Sequence, residues 1–270
     1  MPIRMNTSTS VNFAQRLLRA NNRDLETRLQ RLSSAVRVNR ASDDAASLAI
    51  SESLRGQIGG SVQAVRNAEQ AVNATQTVEG TLNEVNGILI RMRELAAQAS
   101  SGTLNDRNRA SLQAEFAQLS AEVDRLAQTA SDQTGVTDAA FQVGPNGQAA
   151  DRVEFNLADL RASGSELNLG TQTVSSGSSA QQALSAVDQA ILRVSAQRGD
   201  IGALQNRLGF RIRASENAIV NQQASESTLR DADIAEEVTA LARARILRRS
   251  NTALLSQANL NRKRVLDLLG

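Results

Sequence analysis

The sequence predicts a mainly α fold, with long antiparallel helices forming a coiled-coil or helical-bundle rod whose N- and C-termini are paired, and a small β-hairpin region in the middle. Three observations carry that expectation. Apolar residues recur at three-four spacing in several segments on both sides of the chain's centre. The core material is small: among 270 residues there is no Trp, Tyr or Cys and there are 5 Phe, so the 41% hydrophobic fraction is mostly Ala, Leu, Val and Ile. Such a composition suits thin seams between helices better than a thick aromatic globule. Between Ser131 and Ser179 the chain changes to Gly, Ser, Thr, Asn and Asp.

From Phe13 to Val36, the positions Leu25, Leu29, Leu32 and Val36 form the first helical seam. A second runs Val78, Leu82, Val85, Leu89, Met92, Ala96, Ala99 in strict three-four alternation, with Arg91 and Glu94 one turn apart on its polar side. Gly102, Asn105 and Asp106 break it, and a shorter helix resumes with Leu112, Phe116, Leu119, Val123 and Leu126 on one face, which predicts an antiparallel hairpin of helices. Phe141 and Val143 precede a GPNG turn and Val153, Phe155 and Leu157 follow it at period two, the pattern of a β-hairpin. Helix returns near Ala180 with Leu184, Val187, Ile191 and Val194, then Ile201, Leu204, Leu208 and Ile212. A break is expected at Ser225 to Thr228. The last helix opens on Asp231, Asp233, Glu236 and Glu237 and closes on Arg262, Lys263 and Arg264, the charge order that the helix macrodipole favours.

The terminal segments hold few apolar side chains for the backbone entropy they must give up, so the sequence predicts ends that order on assembly. Missing residue types also limit chemistry. Without His or Cys there is no Ser-His-Asp triad, no Cys nucleophile and no nitrogen-sulfur zinc site, and Lys263 is the sole lysine. No enzyme, metal or cofactor is expected. The sequence pI near 10.2 overstates basicity, because a small excess of Arg drives it upward while the net charge is +2. Arg243, Arg245, Arg248 and Arg249 form a basic band, but no aromatic stacking platform accompanies it, so no nucleic-acid partner is expected. No segment approaches the roughly 18 apolar residues of a membrane helix, and the polar N-terminus MPIRMNTSTSVNFAQ lacks an apolar signal region.

The stretch RLSSAVRVNRASDDAA places two carboxylates, Asp43 and Asp44, side by side. Successive helical residues diverge by about 100°, so the pair cannot clasp one substrate from two sides. The better reading is a helix start, with Ser42 or Asp43 as N-cap and acid in the first turn.

The same region, RLSSAVRVNRASDDAASLAISESL, closely resembles the N-terminal signature of bacterial flagellin. VQAVRNAEQAVNATQTVEGTLNEVNGILIRMRELAAQAS continues that resemblance, and QRGDIGALQNRLGFRI with ESTLRDADIAEEVTALARARIL resembles the family's C-terminal helices. The resemblance implies a minimal flagellin without large variable outer domains: a structural subunit that self-assembles into a helical filament for swimming motility. It is expected to leave the cell unfolded through type III export and to become a secreted, extracellular component. The alternative is a hook-filament junction protein of the same flagellum.

It further implies five segments: 1–40 and 229–270 as the two halves of an inner coiled-coil domain, 41–130 and 180–228 as the helices of an outer helical domain, and 131–179 as a β-hairpin or irregular tip. Subunit assembly is expected at Leu25, Leu29, Leu32, Arg40, Asp43, Asp44, Leu254, Leu255, Leu266, Leu268 and Leu269. The implied partners are further copies of the chain, flagellar cap and junction proteins, an export chaperone at the C-terminal helix, and Toll-like receptor 5 through Arg91, Leu95 and Glu115. The chain departs from the family pattern in four places. ASDQTGVTDAAF lacks a Phe-Asn-Gly segment, Arg248 and Arg249 replace a Gln pair, the tail reads NLNRKRVLDLLG, and Ala35 stands where Gly is common.

Overall fold

The computed structural model of the chain describes residues 9–134, 138–156, 160–164 and 166–267. Five α-helices, α1 (Thr9–Ser34), α2 (Ala45–Ala99), α3 (Asp106–Thr134), α4 (Gly177–Arg230) and α5 (Ile234–Asp267), accompany two strands, β1 (Asp138–Gln142) and β2 (Arg152–Asn156). These elements form two compact units, residues 57–221 and residues 1–56 with 222–270, and α2 and α4 each contribute to both.

In the unit of residues 57–221, every member of the predicted α2 seam from Val78 to Ala99 is buried, and Leu95 is fully buried beside it. α4 meets this seam with Val187, Val194, Ile201 and Leu208, spaced seven apart, with Ala180 and Ala183 before them and Ala190 between the first two. The helices run antiparallel, since Arg93 bonds Asp188 at 2.6 Å and Gln205 donates to Glu79 at 2.9 Å. α3 folds back as expected and inserts Phe116 and Val123 into the same core. The turn between α2 and α3 is held by Arg109, which donates to the carbonyls of Ala99 and Ser101, both at 3.1 Å, and so occupies acceptors left free at the end of α2. Asn105 caps α3 by accepting the Asn108 N–H at 2.8 Å. Ser176 and Ser179 cap α4 reciprocally, each side chain accepting the other's backbone N–H.

The hairpin exists, with Gln142 opposite Arg152 and Asp138 opposite Asn156, but its connection is wider than a tight GPNG turn. Residues 143–151 link the strands and include a 3-10 turn at Ala149–Asp151. The reason is local: the Val143 N–H donates to the Asp151 carbonyl at 2.8 Å, while the Asp151 carboxylate accepts the Asn146 N–H at 3.1 Å. A Cβ on Gly144 would stand 2.2 Å from that carboxylate, so the close approach requires glycine. Val143 is buried just past β1, and the expected role of Leu157 lies outside the described residues. The polar segment that follows is also more structured than its composition suggests. Ala162, Leu167, Leu169 and Val174 are buried in the core, anchored where Asp124 accepts from Ser163 and Gln113 accepts from the Val174 N–H.

In the second unit α1 and α5 pair antiparallel through a thin seam of Leu25, Leu241 and Ala244 with Leu32 against it. The expected helix break at Ser225 to Thr228 does not occur. α4 continues to Arg230, and the interruption falls at residues 231–233. There a two-residue antiparallel bridge joins Val36 to Asp231, flanked by Arg37 N–H donating to the Arg230 carbonyl at 2.6 Å and Ala232 N–H donating to the Ala35 carbonyl at 3.1 Å. Ser225 to Thr228 contains neither Gly nor Pro, so nothing local stops the helix before that bridge draws the chain out of it.

Ala35, immediately after α1, has φ 58°. The departure from glycine noted in the sequence therefore sits on a left-handed residue, which costs a side-chain-bearing residue about 1 kcal/mol. Ala35→Gly is expected to stabilise the α1–α5 unit by up to about 1 kcal/mol, less whatever the more flexible glycine adds to the unfolded chain. Urea unfolding followed with amide exchange of α1 checks it; unchanged or faster exchange would show that the left-handed turn carries no strain.

Candidate assembly surface

Asp43 and Asp44 sit at the junction that turns α1 into α2, and they do different work. Residues 40–43 form a turn in which Asp43 N–H donates to the Arg40 carbonyl at 2.9 Å. The Asp43 carboxylate folds back over that turn and accepts the N–H groups of Arg40 at 3.0 Å and Asn39 at 3.2 Å. Asp44, rather than Ser42 or Asp43, is the N-cap. Its carboxylate accepts the Ser47 N–H at 3.0 Å and the Ser47 hydroxyl at 2.6 Å, while its carbonyl accepts the Leu48 N–H. The cap moves one residue along because the turn closed by Asp43 engages that carboxylate before the helix begins at Ala45.

Both carboxyls are exposed, and both are held below the usual carboxylate range: Asp43 by the N–H groups of Arg40 and Asn39, Asp44 by the hydroxyl and N–H of Ser47. With its amide oxygen turned toward the surrounding donors, Gln30 accepts from Asn39 and from the Arg40 guanidinium, which ties Arg40 to α1. Glu52, on the first turns of α2, bonds Arg230 at 2.8 Å and Arg55 at 3.2 Å, and Arg230 in particular pulls the Glu52 carboxyl down. Arg37 reaches the Leu229 carbonyl at 2.9 Å. The two chain segments that cross here are thus joined by backbone bonds and by guanidinium groups.

Sequence reasoning missed the most buried charge among the described residues. The Glu237 side chain is 7% exposed in the α1–α5 seam and is bonded by Arg28 at 3.0 Å and Arg31 at 3.3 Å. Its carboxylate raises the Arg28 pKa. The signal was present, because Glu237, Leu241 and Ala244 follow at four and three and mark an inward face. Helix-macrodipole reasoning accounted for Glu237 only as one of the acids that open the last helix.

The expected assembly residues divide. Leu25 is buried and Leu32 half-buried in the α1–α5 seam, whereas Leu29 is 41% exposed because Arg28 takes the inward position beside it. Leu254 is exposed and Leu255 half-buried on α5; the Leu266 side chain, Leu268 and Leu269 lie outside the described residues. Arg40, Asp43 and Asp44 are exposed but engaged locally. In the other unit, Arg91 and Glu115 join α2 to α3 at 2.8 Å on the surface, while Leu95 lies fully inside the core. Leu95 is buried in the core and does not share the surface that Arg91 and Glu115 occupy. Arg243, Arg245, Arg248 and Arg249 are exposed. Among the described residues, no group of three or more metal-ligating side chains and no helix able to cross a membrane occurs.

Two outcomes follow from this geometry. Folded-state pKa values of Asp43 and Asp44 lie below the unfolded value, so their contribution is present above about pH 4 and is lost as pH falls through the folded values. The Asp43→Asn, Asp44→Asn pair keeps acceptors but not charge; its thermal midpoint should start lower at pH 6 and fall less between pH 5 and 3 than the wild type's. Glu237→Ala should weaken α1–α5 pairing by roughly 2–3 kcal/mol, below the fully buried limit because both arginines are partly solvated. Amide exchange should then quicken in α1 and α5 and stay unchanged in residues 57–221.

Comparison with known proteins agrees with this layout. The bacterial flagellin N-terminal helical region matches residues 5–133 and the bacterial flagellin C-terminal helical region matches residues 184–269. A flagellin of Halalkalibacterium halodurans is 40% identical over 247 residues, covering 89% of this chain and 90% of its own. The flagellar filament 31.3 kDa core protein of Treponema maltophilum is 35% identical over 284 residues, covering 98% and 99%. A solved structure described as a flagellar hook-associated protein from Vibrio parahaemolyticus shares the fold at a TM-score of 0.55 and 14% identity, over 70% of this chain and 100% of that one. With family matches at both ends and full-length relatives, the chain belongs to the bacterial flagellin family.

Proposed function

We propose that the chain is a non-enzymatic structural subunit that polymerises with copies of itself into the bacterial flagellar filament. One observation carries the reading beyond family membership. On α1 and α5, a helix pair with a thin seam, Phe13, Leu17, Ile246, Leu247, Leu254 and Leu260 are all exposed. Large apolar side chains of this density on paired helices are expected at interfaces, and neighbouring copies supply the missing partners. Relatives that carry the name filament core protein support this over the junction alternative, whose support is a fold likeness.

In this reading residues 1–40 and 229–270 line the inner wall, 41–130 and 180–228 build the outer helical layer, and 131–179 forms the tip. The subunit passes unfolded through type III export to the outside of the cell, with a chaperone on the α5 segment beforehand, and adds between the filament's cap and its junction proteins. The surface pair Arg91 and Glu115 is the part of the receptor pattern available to Toll-like receptor 5, with Leu95 supporting it from within.

Seeded polymerisation viewed by electron microscopy tests the assignment: long filaments are expected, and short rings or persistent monomers would favour a junction protein. Removal of the last ten residues, including Leu266, Leu268 and Leu269, should abolish filament growth while residues 57–221 keep their helicity and melting behaviour. Normal filaments from that truncation would contradict an inner wall built by the termini.

A further inference from the structure

The unit of residues 57–221 has a second packing face, and its pattern differs from ordinary surface. Half a turn around α4 from the buried seam lie Leu192, Ala196, Gly199, Ala203 and Phe210, at spacings of four, three, four and seven. All are exposed, Leu192 at 70% and Phe210 at 67%. A seven-residue repeat of apolar and small residues on a solvated face has no use inside the subunit; it is the pattern by which one helix receives another.

A matching stripe runs along α2. Gly80, Gly87, Ile90 and Ala97 are exposed at spacings of seven, three and seven, half a turn from the buried Val78, Val85 and Met92. Glycine inside a helix costs about 1 kcal/mol relative to alanine. Neither Gly80 nor Gly87 is explained within the subunit, since a Cβ added at either would meet nothing within 4 Å. The two glycines leave a shallow trough in α2, whereas α4 presents large side chains at Leu192 and Phe210.

Charge is uneven beside the two stripes. Glu69 and Glu84 lie close to the α2 trough and Arg207 and Arg213 close to the α4 stripe, while Glu79 and Arg211 are bonded within the subunit, to Gln205 and to the Ala150 carbonyl, and Arg91 and Arg93 pair with Glu115 and Asp188. Arg213 lies over the Phe210 ring at 4.8 Å, so the cation and the aromatic knob form one projecting feature.

We infer that α4 of one subunit seats its Leu192–Phe210 stripe on the Gly80–Gly87 trough of α2 in a neighbouring copy of the same chain. The inference rests on the filament reading above and specifies one of its contacts. Two different stripes on one molecule make a heterologous contact, which leaves a free donor and a free acceptor after every addition and so propagates. The same stripe meeting itself would give a closed dimer and stop.

The test uses the full-length chain, with wild type seeded in parallel. Phe210→Glu and Gly87→Leu both alter exposed positions, so each monomer should keep its helicity and thermal midpoint, Gly87→Leu gaining slightly. Each should raise the critical concentration for seeded growth at least tenfold. Because the chain has no cysteine, Gly87→Cys and Ala203→Cys copies can be mixed, polymerised and joined with a short bis-maleimide. A product linking the two variants is expected in filaments and not in monomers. Growth of Phe210→Glu or Gly87→Leu at the wild-type critical concentration overturns the contact, as does cross-linking confined to identical variants. Failure of the wild type to elongate would instead overturn the filament reading itself.

Discussion

A helix whose core face is built from Ala, Val and Leu at three-four spacing can bury only one side, and in a chain nearly free of aromatics no side chain is large enough to reach round it. The α2 seam from Val78 to Ala99 is the fullest expression of this constraint, closed by α3, the hairpin, the segment 160–174 and α4. The second unit has less with which to close: Leu25, Leu241 and Ala244 form its buried apolar cluster, and each fully buried leucine contributes only about 2 kcal/mol. Large apolar residues therefore remain outside on α1, α4 and α5, where polymerisation can use them.

Charge supplies specificity where apolar area is scarce. Glu237 occupies an inward seam position that leucine could fill with no desolvation penalty, yet it is held by Arg28 and Arg31 from the opposing helix. Sliding α1 against α5 by one turn would strand that carboxylate without its partners. The seam thereby has a register, which a short row of leucines alone would define poorly. The bridge of Val36 to Asp231 and the Glu52–Arg230 pair hold the same alignment just beyond the C-terminal end of α1.

The adjacent carboxylates show how function in such a protein arises from placement rather than reactivity. Asp43 closes the turn that ends at it and Asp44 opens the helix that follows, so two acids that resemble a catalytic pair in sequence each take up backbone N–H groups. Together they close the connection from α1 and fix where α2 begins.

The helices, their seams, the antiparallel α2–α3 hairpin and the strand pair are legible in the residues alone, because period and turn chemistry are properties of a single element read along its length. Family resemblance was also legible there, in long uninterrupted motifs. Tertiary structure alone decided which residues of a helix face inward at its ends and edges. Leu95 disappears into the core while Leu29 remains outside, and Glu237 turns inward, since burial depends on where the partner helix lies. It likewise decided that α4 runs through Ser225 to Thr228 and stops at Arg230, that Asp44 rather than its neighbours caps α2, and that Ala35 takes a left-handed conformation. Each depends on a hydrogen bond or packing contact between residues far apart in the chain or across a turn, and no local periodicity encodes such a contact.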